Sequence, residues 1–124
     1  VKSADFLILI ADLNPHVREL LSREFARGGY RVRSARDGEE LCAELSRGEA
    51  VHLLLLDPEL PYLGSGPTLE RFQRLAAALP MVLHVCSGED ADSPLGTPAA
   101  AVVEKGGDPE RLLATVKQVL GSRY

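Results

Sequence analysis

The sequence predicts an α/β domain in which five parallel strands form one sheet with helices on both faces. Three observations predict it. Short apolar runs alternate five times with stretches of helical hydrophobic spacing, Gly and Pro punctuate the junctions, and one of the runs, 6–11, is continuously apolar. A continuous run suits a strand covered on both faces, and right-handed crossovers put the intervening helices on those faces.

The run 6–11 is the first strand. Asn14 and Pro15 then supply a cap and a first-turn proline for a helix carrying Val17, Leu20, Leu21 and Phe25, which stops at Gly28 and Gly29. Residues 30–35 alternate, with Val32 between arginines, as a strand near the sheet edge would. Asp37 caps a second helix with Leu41, Cys42 and Leu45 on one side, ended by Gly48. The run 51–56 is the most hydrophobic in the chain, so it is placed as a central strand delivering Asp57 to the surface. Pro58, Pro61, Gly64, Gly66 and Pro67 mark a loop, and Leu69, Phe72, Leu75, Ala76 and Leu79 mark a third helix. Residues 81–85 and 100–103 read as the fourth and fifth strands. Between them Gly88, Pro94, Gly96 and Pro98 leave a fourth helix short or absent. The last helix has Asp108 as cap, Pro109 and Glu110 in its first turn, and Leu112, Leu113, Val116, Val119 and Leu120 on one face. At this length the expected strand order is 2-1-3-4-5, the flavodoxin-like arrangement of a three-layer sandwich.

Composition narrows the function. The chain has 124 residues, 45% hydrophobic and 26% charged, enough for one soluble domain with its own core. A formal charge of −4 gives no electrostatic reason to expect direct binding to nucleic acid or to an anionic membrane. Cys42 and Cys86 are far apart and lack metal-ligand spacing, which suits a reduced, cytoplasmic protein. No apolar run approaches the roughly 20 residues of a membrane span, and no signal-peptide pattern opens the chain. His16, His52 and His84 share no spacing, so they read as structural or exposed rather than as a metal cluster or triad. Cys86 reads as a small core residue rather than a reactive thiol.

In a sheet of this order, ligands collect outside the carboxyl ends of the strands, where the order reverses between the first and third. Asp12 and Asp57 both fall there, and Lys105 ends the fifth strand at the same edge. Two converging carboxylates repel unless a cation separates them, which suggests Mg²⁺ with oxygen ligands, and an ammonium beside them can meet a phosphoryl oxygen.

The segments Leu9-Ile10-Ala11-Asp12-Leu13-Asn14-Pro15, Leu55-Leu56-Asp57-Pro58-Glu59-Leu60-Pro61 and Val103-Glu104-Lys105-Gly106 resemble those of the response-regulator receiver family of two-component signalling, in the same order and over essentially the whole chain. The resemblance implies that Asp57 accepts phosphate from a histidine kinase or phosphotransfer protein. It makes Asp12 one of an acidic pair serving Mg²⁺, Lys105 the phosphoryl-contacting lysine, and Glu59 the donor of a backbone carbonyl to the metal. It also implies a signalling domain rather than an enzyme, residues 1–124 being one receiver domain, excised from a longer protein because the first residue is Val1 rather than Met.

Four positions depart from the family. Leu13 stands where the second acidic residue is expected, so Mg²⁺ binding is expected to be weak or absent. Cys86, or Ser87 with a one-residue shift, stands at the Thr/Ser position, and a thiol is a poor hydrogen-bond donor. Val102 replaces the aromatic switch residue, and Gly106 replaces the usual proline. The alternative to a phosphorylated receiver is therefore a pseudo-receiver acting on other protein domains without phosphate. A flavodoxin-like enzyme or nucleotide binder is disfavoured because no Gly-rich phosphate loop follows the first strand.

Overall fold

The structure, a computed structural model, describes residues 2–64, 66–86 and 98–124. After a short 3₁₀ turn, Ser3–Asp5, the chain forms β1 (Leu7–Ala11), α1 (Pro15–Arg27), β2 (Arg31–Ala35), α2 (Gly38–Leu45), β3 (Leu53–Leu56), α3 (Gly66–Leu75), β4 (Met81–Val85), β5 (Ala101–Glu104) and α4 (Pro109–Arg123). All neighbouring strands pair in parallel, and the sheet order is β2-β1-β3-β4-β5, the flavodoxin-like order.

Alternation along the strands divides the core in two. Leu9, Leu54, Leu56 and Leu83 pack on one face against Leu41 and Cys42 of α2 and Phe72 of α3. Ile8, Ile10, Leu53, Leu55 and Val82 pack on the other against Leu21 and Phe25 of α1 and Leu112, Val116 and Leu120 of α4. Both faces are apolar and covered, so β1, β3 and β4 are buried throughout.

The helix starts follow their caps. Asn14 accepts a hydrogen bond from the amide of His16, Asp37 from Glu40 and Asp108 from Glu110. Asn14, and not Asp12, therefore caps α1. Sequence and structure differ at α3, which begins at Gly66 with Pro67 in its first turn, so the last two turn-forming residues of the presumed loop belong to the helix. A proline is tolerated there because first-turn amides need no partner within the helix. Ala76 and Leu79 lie beyond the helix, yet Ala76 is buried and Leu79 packs on the core. The stretch 87–97, where the fourth helix was expected to fail, lies outside the described residues. Among those residues no helix is long and apolar enough to cross a membrane.

Candidate functional site

Register places the candidate residues. Ala11 of β1 pairs with Leu56 of β3, so Asp12 and Asp57 are adjacent, each one step past the last paired residue. The backbone pins both: the Asp12 amide donates to the Ala35 carbonyl, and the Asp57 amide to the Ala11 carbonyl, each at 3.0 Å. Lys105 follows β5, and its amide donates to the Val85 carbonyl at 2.6 Å, which carries its side chain to the same rim.

The three side chains meet. The Lys105 ammonium lies 2.7 Å from Oδ2 of Asp12 and 2.7 Å from Oδ2 of Asp57. It donates a hydrogen bond to Asp57. Toward Asp12 it acts as a charge at close range, because Oδ2 of Asp12 is buried and accepts no hydrogen bond of good direction. The remaining oxygens are held by the main chain, Oδ1 of Asp12 by the Asn14 amide at 2.9 Å and Oδ1 of Asp57 by the Glu59 amide at 2.8 Å. Burial alone would lower the pKa of Lys105, but its close contacts with both carboxylates outweigh burial and raise it.

Two further residues lie close to the site, Arg18, which the sequence did not single out, and His84, which it placed only as structural or exposed. Arg18, one turn into α1, donates from Nη1 to the carbonyls of Asp12 and Leu13, at 2.7 and 2.9 Å, and so fixes the turn that carries Asp12. His84, the fourth residue of β4, is 8% exposed and feels the charges of Lys105, Asp12 and Asp57. Burial, then Lys105, push its pKa below the ordinary imidazole value despite the two carboxylates, so the ring is held neutral. Strand alternation signals His84, whereas the reach of Arg18 depends on a turn geometry that residue types do not reveal.

Leu13 is 59% exposed and its side chain carries no oxygen. Cys86 directly follows β4 beside the rim and is exposed, which corrects its reading as a core residue: β4 ends at Val85, and the thiol has left the packed layer. Val102 is partly exposed on β5. Gly106 has φ +86°, a conformation closed to proline, so the turn after Lys105 could not be built with the usual residue.

A cation between Asp12 and Asp57 is what their charges require, and in this structure the Lys105 ammonium holds that place. Among the described residues no three acidic, histidine or cysteine side chains converge as a metal cluster. Asp12, Asp57 and the main-chain carbonyl of Glu59 are the groups at this rim that could hold Mg²⁺.

Residues 8–117 match the response regulator receiver domain family. The chain is 34% identical over 119 residues to the transcriptional regulatory protein GltR of Pseudomonas aeruginosa, and 30% identical over 115 residues to the CpxR homolog of Haemophilus influenzae. Each alignment covers 91% of this chain but 48% and 49% of the relative, so the chain spans about half the length of these proteins. A CheY-like receiver domain protein from Methanospirillum hungatei superposes with TM-score 0.80 at 25% identity, covering 95% of each chain. The response regulator TrrA of Thermotoga maritima, solved with Mg²⁺ and beryllofluoride, superposes with TM-score 0.74 at 26% identity, covering 92% of this chain and 98% of its own. Sheet order, the meeting of Asp12, Asp57 and Lys105, and the match over nearly the whole length agree: the chain belongs to the response regulator receiver domain family.

Proposed function

We propose that the chain is a receiver in which Asp57 accepts a phosphoryl group in a reduced site, and that it is one domain of a longer cytoplasmic signalling protein. The observation that carries this reading is the single ammonium of Lys105 at 2.7 Å from both Asp12 and Asp57. A carboxylate oxygen of Asp57 attacks the phosphorus of a phosphohistidine on a kinase or phosphotransfer protein. The P–N bond breaks, the imidazole leaves and takes up a proton, and an acyl phosphate remains on Asp57. Lys105 then turns from carboxylate to phosphoryl oxygen, offsetting the added negative charge. Mg²⁺, where bound by Asp12, Asp57 and the Glu59 carbonyl, would supply further neutralisation. Leu13 supports weak binding of that ion. Neither enzymatic turnover nor contact with nucleic acid or membrane is part of this reading, and the partners are proteins.

Acetyl phosphate or beryllofluoride with Mg²⁺ should shift the backbone amides around Asp57, and Asp57→Asn should not respond. An unresponsive wild-type spectrum would overturn the proposal. Leu13→Asp should strengthen Mg²⁺ binding, and no change would remove Leu13 from the metal site.

A second reading, a pseudo-receiver that binds other protein domains without phosphate, is favoured by the exposed Leu13 and Cys86 and by Val102 in place of an aromatic ring. Partner binding that changes tenfold or more on Asp57→Asn, with the fold intact, would reject it.

A further inference from the structure

On the face of the sheet covered by α1 and α4, the two helices part at the end nearest Lys105 and leave a cavity of about 790 Å³. That is the size of small-molecule sites, ~300–1,000 Å³. Its walls are the apolar side chains of Leu20, Leu21, Val103 and Leu112, and His84 reaches it from β4. Leu20, on the apolar face of α1, is 40% exposed and lines this cavity.

His84 makes this more than a gap between helices. The residue is only 8% exposed, yet neither ring nitrogen is a sealed, unpartnered atom, and the ring lines the cavity. A neutral imidazole offers one donor and one acceptor, and in the lining of the cavity these can meet water or the polar atom of a ligand. The charged residues around the cavity do not call for an ion. Lys105 is engaged by Asp12 and Asp57, Asp108 caps α4 through the Glu110 amide, and the remaining Glu104 and Arg111 carry opposite charges.

We propose that this cavity is a binding site for a small uncharged amphiphile, an apolar or aromatic body carrying one hydroxyl or carbonyl that hydrogen-bonds to His84. The body lies between Leu20 and Leu112, and the polar atom meets the imidazole at the floor. The proposal does not require phosphorylation of Asp57, although Lys105 borders both the cavity and the acidic site.

The test is a ¹H–¹⁵N titration of the chain with p-cresol, run beside 4-methylbenzoate and 4-methylbenzylammonium, which have the same body with a negative or a positive head. The expected result is saturable shifts at Leu20, Val103 and the amides of the turn into α4, with a Kd on the order of 1 mM for a ligand of so few atoms. Both charged analogues should bind at least about tenfold more weakly. Leu20→Trp, at an exposed position, should close the mouth and abolish the shifts. His84→Leu should weaken p-cresol about tenfold with Asp57 intact. Absence of a saturable shift, as for a cavity holding only water, would overturn the proposal. So would equal affinity for the carboxylate, unchanged affinity in Leu20→Trp, or the same amides moving with protein concentration alone, which would mark the occupant as a second copy of the chain.

Discussion

Lys105 stands 2.7 Å from Oδ2 of Asp12, a carboxylate that is only 2% exposed and has no other partner on that oxygen. The contact matters more than a surface ion pair because removing the ammonium strands a buried charge. Lys105→Met should lower the unfolding free energy by about 3 kcal/mol. Millimolar Mg²⁺ should restore more stability to this variant than it adds to the wild type, since it no longer competes with an internal cation. Urea denaturation with and without Mg²⁺ measures both effects.

Gly38 opens α2 under the loop that follows Asp57. Its amide donates to the Pro61 carbonyl at 2.7 Å, and a Cβ at this position would sit 2.3 Å from the Tyr62 carbonyl oxygen. Since both sides of that clash are backbone, a rotamer change cannot relieve it. Gly38→Ala should cost about 2 kcal/mol and shift amides from Asp57 to Leu63, observable by denaturation and by NMR.

Tyr62 has φ +61° and a side chain 74% exposed, so it carries left-handed strain with little packing in return. Tyr62→Asn should raise stability by about 0.5–1 kcal/mol, because asparagine tolerates this conformation. A loss of stability would mean that the ring is held by contacts worth more than the strain.

The depressed pKa of His84 makes an acid-side prediction. The unfolded ring binds a proton more readily than the folded one, so its contribution to stability is fully present above the unfolded value near 6.5 and is lost as pH falls toward the folded pKa. His84→Leu should flatten the decline in stability below about pH 6.5, as followed by thermal unfolding across a pH series.

Much of this fold can be read from side-chain periodicity. The apolar run before Asp12, the arginine-flanked Val32 and the caps Asn14, Asp37 and Asp108 each gave the element later found, because burial on two faces, edge exposure and amide capping leave distinct residue patterns. The meeting of Asp12, Asp57 and Lys105 followed from strand order alone. What could not be read depends on small displacements. β3 starts at Leu53 rather than Val51, because the His52 ring takes the first pairing place by accepting the Leu7 amide on Nδ1. Cys86 reads as a core residue because free cysteines are mostly small buried side chains, but whether a residue at the end of a run is inside or outside is decided by where pairing stops.

The β2 edge carries Arg31 and Arg33, tied to Glu49 and to Glu44 of α2. These bridges hold charged side chains along the one flank of β1 and β2 that another extended chain would approach, and such a chain would have to strip them of water and counterions before laddering onto the edge. Arg31 and Arg33 thus disfavour the laddering of another chain onto the β2 edge.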